Sequence, residues 1–321
     1  MSDIQVLTES ILQLLITGVL VGALYGMMCV GLAMIFGIMR VINFAQGDFM
    51  MFGMYATYFA FGAFGIQAFF GAELGAYVSV MAAAPAMFLF GWIIHRLMIR
   101  RVTGTRSAGM EADGHYAQLI LTLGIALILQ NGAMILFGAD LVSIRTPLSS
   151  EAWAVEPFGE AMPILLFFNK SRVLTALFSA AAIIGLWILI QRTFLGKSLR
   201  AAADNAEAAT YMGINVDKSH RFAFAIGTAV TAMAGGLLAI NYPFSPFVGL
   251  EYVIIMYAGV VLGGIGSIIG AFWGGMLIGF IQQFSTLVLP TQLQNATIFV
   301  CFLLVVMLRP QGLFGRNVER T

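Results

Sequence analysis

The sequence predicts an all-α protein, a polytopic bundle of about 8–10 transmembrane helices, and three observations support this fold class. Of the 321 residues, 60% are hydrophobic and only 10% are charged, whereas soluble domains carry about 25% charged residues. The hydrophobic residues form long stretches, and a membrane helix needs about 20 of them. The cationic residues cluster between these stretches. With so few charges the chain cannot cover a water-facing surface, so most of its exterior should contact lipid.

The hydrophobic stretches divide 1–321 into nine candidate spans of a single transmembrane domain. They are 11–39, 44–66, 73–95, 116–138, 173–191, 222–242, 251–270, 271–289 and 296–308. The region 251–289 contains no polar interruption, so its division after residue 270 rests on length alone.

The placement of cationic residues predicts the orientation of the bundle. Most of the 16 lysines and arginines follow the third, fifth and last spans, and such clusters are cytoplasmic by the positive-inside rule. Loop 139–172, which is rich in proline and acidic residues, is then external, as is the N-terminus, and the C-terminus is cytoplasmic. The clusters contain Arg96, Arg100, Arg101 and Arg106, then Arg192, Lys197, Arg200, Lys218 and Arg221, and finally Arg309, Arg316 and Arg320.

Two glycine-interrupted segments near the ends of the chain have similar sequence patterns and resemble an internal repeat. They run from Gly26 to Ala60 and from Tyr257 to Phe280. Paired segments of this kind are typical of broken helices in pseudo-symmetric halves of a transporter. Glycines four residues apart, such as Gly259 and Gly263, also predict close packing between helices.

The polar segment 43–49 is a candidate site, because Asn43, Gln46 and Asp48 lie between two hydrophobic stretches. One interpretation is that Asn43 and Asp48 cap the next helix at the membrane interface. The other is that the segment is a broken helix end that lines a pathway, where irregular backbone is tolerated. Under either interpretation Asp48 can pair with Arg40.

The cytoplasmic loop 192–221 is the second candidate site. Ala201 to Met212 is rich in helix-forming residues, with Asp204 or Asn205 as the cap and Gly213 as the stop. Such a helix can lie on lipid or dock on a protein. Its apolar side chains are mostly alanine, which favours docking.

Here the sequence resembles a known family. Glu207-Ala208-Ala209, three further residues and then Gly213-Ile214 match the EAA loop of ABC importer permeases, although the Leu-Pro that usually ends this motif is absent. The segments MRVINFAQGDFMMFGMY at 39–55, GKSLRAAADNAEAATYMGINVDK at 196–218, VVLGGIGSIIGAFWGGMLIGF at 260–280 and LRPQGLFG at 308–315 resemble the branched-chain amino acid permeases of the LivH type.

The resemblance implies a function and a set of partners. Glu207, Ala208, Ala209 and Gly213 would couple the chain to a cytoplasmic ATPase subunit. A second permease subunit (a paralogue or a second copy), two ATPase subunits and an external binding protein would complete an importer in the cell inner membrane. ATP and Mg²⁺ would bind to the ATPase subunits, so no cofactor is expected in this chain.

We therefore expect a permease for branched-chain or other hydrophobic amino acids. Related permeases carry urea, short amides or other small carboxylates, and these substrates stay open. An ion-coupled secondary transporter is disfavoured, because intramembrane charged pairs are almost lacking. A net charge of +1 argues against nucleic acid binding, and no catalytic set or metal-ligand spacing is evident among the three histidines.

Overall fold

The computed structural model describes residues 3–101, 111–156, 164–290, 293–309 and 311–314, and the prediction of an all-α fold is confirmed for them. The helices are α1 Asp3–Met39, α2 Gln46–Phe61, α3 Ile66–Leu97, α4 Glu111–Phe137, α5 Pro147–Ser150, α6 Lys170–Arg192, α7 Phe194–Asp204, α8 Ala206–Tyr211, α9 Val216–Asn241, α10 Val248–Gly263, α11 Ile268–Ser285 and α12 Gln294–Leu308. A short antiparallel hairpin, β1 Ala152–Val155 and β2 Leu166–Asn169, was not predicted.

Each of the nine predicted spans coincides with a helix, but the helices differ in length. In the described part of the chain six helices are long and apolar enough to cross a membrane, namely α1, α3, α4, α6, α9 and α11. The other three, α2, α10 and α12, have 16, 16 and 15 residues. Because a full crossing takes about 20 residues, these three are partial spans as the structure has them.

The predicted division after residue 270 is wrong, because the chain breaks earlier. Gly264 and Gly266 adopt φ angles of 101° and 88°, a conformation that side chains other than glycine disfavour. The Ser267 hydroxyl then accepts a hydrogen bond from the Gly270 N–H (3.0 Å) and starts α11. Residues 264–267 therefore form a tight turn between α10 and α11.

The centre of the bundle is formed by α1, which packs against α9 and α11. Glycines allow the backbones to meet directly, as the spacing predicted. A Cβ atom added to Gly275 of α11 would lie 2.6 Å from the backbone nitrogen of Gly26 in α1. These contacts leave no room for even a methyl group between the two helices.

The two glycine-interrupted segments share one form, helix–break–helix. The first comprises α1, residues 40–45 and α2, and the second comprises α10, residues 264–267 and α11. The first helix of each segment packs on the second helix of the other, so that α1 contacts α11 and α10 contacts α2. Paired broken segments in the two halves of a chain are a feature of transporters built from repeats.

The described part of loop 139–172 and the described residues of the first two cationic clusters lie at opposite ends of the bundle. Near the start of α1, Gln13 Nε2 donates to the carbonyl of Phe167 in the hairpin (2.8 Å). At the other end, Arg100 pairs with Asp217 (3.1 Å) and brings the first two cationic clusters together. Arg106, Arg316, Arg320 and positions 157–163 of the loop lie outside the described residues.

Candidate functional site

The segment that follows α1 returns into the bundle before α2 begins. Val41, Asn43 and Ala45 are completely buried. Gln46, the first residue of α2, donates through Nε2 to Thr231 Oγ1 (2.6 Å), near the middle of α9. The N-terminus of α2 therefore lies inside the protein, and its N-cap residue is Ala45 with no side-chain cap, so the expected capping by Asn43 or Asp48 does not occur.

A buried polar network holds this break in place. Asn43 Nδ2 donates to Gln46 Oε1 (2.9 Å), and Asn43 Oδ1 accepts from the Ala45 N–H (3.2 Å). Gln46 Nε2 also lies 3.4 Å from the Gly227 carbonyl oxygen. Buried amides are costly unless they are hydrogen-bonded, so these contacts fix the geometry of the irregular backbone and tie it to α9.

Asp48 lies in the first turn of α2 and is 6% exposed. It is not the cap, because the N-cap position is Ala45 and no side chain caps the helix there. One carboxylate oxygen of Asp48 lies against α10, where a Cβ added to Gly249 would be 2.8 Å from Oδ1. The positive end of the α2 dipole favours a carboxylate at this position.

The suggested pairing of Asp48 with Arg40 is absent. Within the described ranges the ion pairs are Arg100–Asp217 and Lys170–Glu151. Arg40 is exposed whereas Asp48 is buried, so the two side chains occupy different environments.

The second candidate site, loop 192–221, contains two helices, where the sequence predicted one from Ala201 to Met212. The helices separate at Asn205, which is extended (φ −151°, ψ 104°). Its side-chain oxygen accepts from the Ala208 N–H (2.9 Å) and caps α8. Asn205 is therefore the cap of the two alternatives, and its capping conformation ends α7 at Asp204.

Gly213 ends α8 as predicted. Its φ angle is 81°, and its N–H donates to the Thr210 carbonyl (3.0 Å) while the Ile214 N–H donates to the Ala209 carbonyl (2.9 Å). This pair of bonds is a Schellman motif, in which a glycine in the left-handed conformation satisfies the last carbonyls of a helix.

The four predicted coupling residues differ in their exposure to solvent. Glu207, Ala208 and Gly213 are exposed, but Ala209 is only 4% exposed. The Ala209 side chain therefore packs inside the chain in this structure, whereas the other three predicted coupling residues are open to a partner. The Glu207 carboxylate accepts a hydrogen bond from the Tyr211 hydroxyl (3.0 Å) one turn later.

Two exposed residues at the end of α8 were missed as contact candidates. Tyr211 and Met212 are 81% and 82% exposed, and large apolar side chains at that exposure mark interaction surfaces when they occur together. The sequence signal was their size in a helix otherwise built from alanine. In the described part of the chain, no group of three or more potential metal ligands comes together.

These features define a class of protein. A helix that begins inside a membrane bundle, stabilised by buried amides and joined to a second broken segment, is the architecture of a membrane transporter. An exposed helical loop at the cationic end is suited to binding a partner.

The chain belongs to the family described as branched-chain amino acid transport system / permease component, whose model matches residues 14–308. It is similar to the high-affinity branched-chain amino acid transport system permease protein BraD of Pseudomonas aeruginosa, with 31% identity over 96% of this chain and 97% of that protein. It is also similar to LivH of Escherichia coli, with 29% identity and the same coverage. A probable LivH of Methanocaldococcus jannaschii is 28% identical over 81% of this chain and 76% of that protein. No solved structure matches the chain.

Proposed function

We propose that this permease carries branched-chain amino acids into the cell as part of an ABC importer. The match of the family model over residues 14–308 is the observation that carries the proposal. In it, two permease subunits form the membrane part, two ATPase subunits bind on the cytoplasmic side, and an external binding protein delivers the amino acid. ATP hydrolysis takes place in the ATPase subunits, and this chain performs no chemical step.

The exposed surface of α8 is the proposed contact with the ATPase subunit. Ala208, Tyr211 and Met212 present one small and two large side chains to the outside. A helix of this kind fits a groove in a partner, with the large residues as anchors. Ala209 supports the helix from behind, where a small side chain permits close packing.

Motion of α8 would reach the membrane part through α9. Only residues 212–215 separate α8 from α9, and Asn215 caps α9 by accepting from the Lys218 N–H (2.9 Å). In its first turn α9 also carries Asp217, which pairs with Arg100 after α3. Further along the same helix, Thr231 holds Gln46 at the break. A displacement of α8 can therefore shift α3 and the start of α2 together.

The orientation follows from the cationic clusters, with α7, α8 and the C-terminus in the cytoplasm and loop 139–172 outside the cell membrane. The broken end of α2, with Asn43, Gln46 and Asp48, would then border the pathway near the middle of the membrane. Unwound backbone at that depth is tolerated where it lines a cavity. Alternating access would arise from rearrangement of the two helix–break–helix segments.

The test is transport by the reconstituted importer. The permease, its partner permease, the ATPase subunits and the binding protein are placed in proteoliposomes, and uptake of labelled leucine is measured with ATP or a non-hydrolysable analogue inside. We expect uptake with ATP only. Uptake of urea or a short amide without uptake of leucine would change the substrate, and ion-driven uptake by the permease alone would overturn the proposal.

A further inference from the structure

A cavity of about 470 Å³ lies beside the end of α1. It is lined by Phe36, Gly37, Arg40, Ile42, Ile265 and Gly266. The large side chains are apolar except for one guanidinium, and the two glycines expose backbone. Cavities that bind small molecules have this composition, with apolar walls and a few polar groups that fix orientation.

Arg40 adopts a strained backbone conformation. Its φ angle is 55°, and in the described part of the chain it is the one residue other than glycine with positive φ. A side chain in this region costs about 1–2 kcal/mol, and glycine would avoid that cost. An arginine at a position that favours glycine points to a use for its side chain, which forms no ion pair within the described ranges.

We propose that this cavity binds the transported amino acid, with its carboxylate on the Arg40 guanidinium. This inference rests on the proposed function and deepens it, because it assigns a binding residue and a chemical class of substrate. A guanidinium pairs with a carboxylate through two parallel hydrogen bonds. The aliphatic side chain of the substrate would contact Phe36, Ile42 and Ile265, which suit a branched hydrocarbon.

The end of α1 also suits the ammonium group of an amino acid. The C-terminal end of a helix carries a partial negative charge, and its last carbonyl groups lack partners within the helix. The Arg40 N–H bonds to the Phe36 carbonyl (2.8 Å), so the carbonyls that remain free belong to the residues that follow Phe36. Among these residues Gly37 lines the cavity, which places a helix-end backbone group for the ammonium beside the guanidinium for the carboxylate.

Arg40 also borders a second cavity of about 400 Å³, and this suggests another role for its side chain, namely pairing with acidic residues. That cavity is also lined by Asp204 and Glu207, two acidic residues of loop 192–221. If Arg40 served to pair with them, its removal would affect coupling and not substrate binding. The experiment therefore compares Arg40→Gly, which removes the proposed substrate contact, with Asp204→Asn, which removes a carboxylate of the second cavity.

The experiment measures equilibrium binding of labelled L-leucine to the complete importer in nanodiscs, without nucleotide and without binding protein. L-leucinamide, which lacks the carboxylate, is the competitor that reports on the carboxylate contact. Arg40→Gly should lower leucine affinity on the order of tenfold to a hundredfold and abolish the preference for leucine over leucinamide. Arg40→Lys should lose less affinity for leucine, because lysine keeps the positive charge. Since glycine relieves the strain at positive φ, Arg40→Gly should melt at the wild-type temperature or above it.

A second variant and a control complete the design. Ile265→Trp adds bulk at a position that is 53% exposed, so it should fill the cavity and block leucine binding without unfolding the protein. Arg309→Gln removes a cation at the same end of the bundle, outside the cavity, and should bind leucine as the wild type does.

Two results would overturn the inference. One is wild-type affinity and preference for leucine in Arg40→Gly. The other is an equal loss of leucine binding in Asp204→Asn, which would show that binding depends on the arrangement of loop 192–221 and not on a contact between Arg40 and the substrate carboxylate. Uptake by the wild-type importer with its binding protein is measured beside these variants. If the wild-type importer takes up leucine normally, either result contradicts this inference alone. If the wild-type importer fails to take up leucine, the proposed function is contradicted.

Discussion

Replacement of Gly213 by valine should uncouple the permease from ATP hydrolysis while leaving it in the membrane. Gly213 has a φ angle of 81°, and a Cβ added there would meet no atom within 4 Å. A side chain therefore causes no clash in the permease itself, and its cost comes from the backbone alone. That cost is about 1–2 kcal/mol for a residue in the left-handed region, and valine is among the least tolerant residues there.

This cost is large for α8. The helix has six residues, and isolated helices of that length are unstable in water. Its ends depend on the Asn205 cap and on the two hydrogen bonds formed at Gly213 and Ile214. A loss of about 1–2 kcal/mol lowers the equilibrium constant for the correctly ended helix by about 5- to 30-fold. Stimulated ATPase activity and uptake should therefore fall, at most by the same factor.

The assay compares Gly213→Val with Gly213→Asn in the reconstituted complex. Asparagine tolerates positive φ far better than valine does, so Gly213→Asn should stay close to the wild type. ATPase activity is measured with and without binding protein, and a pull-down reports binding of the ATPase subunits. The reasoning is refuted if Gly213→Val stimulates ATP hydrolysis as the wild type does. It is equally refuted if asparagine and valine are equally harmful, since the effect would then come from side-chain contact and not from the backbone.

Three further outcomes are expected. Ala209→Trp places a large side chain at a position that is 4% exposed, and overpacking costs about 1–3 kcal/mol. The variant should therefore reach the membrane but bind less ATPase subunit in a pull-down. Full binding would contradict the packing role of Ala209. Asp48→Ala should reduce uptake per assembled complex more than it reduces assembly, as measured by quantifying both in the same membranes; normal uptake would leave Asp48 without a part in transport. Single cysteines at Ser150 and Ser198, in a cysteine-free background, should react with an impermeant thiol reagent from outside and from inside respectively, and the reverse pattern would invert the proposed topology.

The spans were largely predictable because lipid imposes a simple rule. A segment must be apolar and long to be stable in a bilayer, so each of the nine spans predicted from composition falls on a helix. It could not show that α2 and α10 are shorter than a full crossing, because a helix shielded by its neighbours need not span the membrane itself. Gln46 illustrates the point, since one partner of its buried side chain, Thr231 Oγ1 at 2.6 Å, lies on a helix distant in sequence.

Local signals at α8 were read correctly where the chemistry is local. Gly213 as the stop depends on the conformational freedom of glycine, and Asn205 as one of two possible caps depends on its short polar side chain. The direction of Ala209 was not predictable, because the burial of one face depends on where α8 rests against the remainder of the chain.

The membrane class, the helical spans and the turn at Gly213 follow from the sequence alone, because each depends on composition or on the preference of one residue. The break near Asn43 was one of two interpretations that the sequence left open. Tertiary structure decided which groups meet: Gln46 with Thr231, Asp48 with Gly249, and Arg40 with the apolar side chains of the cavity. These contacts join residues far apart along the chain. Glycine spacing predicts that helices pack closely, but it does not say which helices meet, because that depends on packing across the whole bundle.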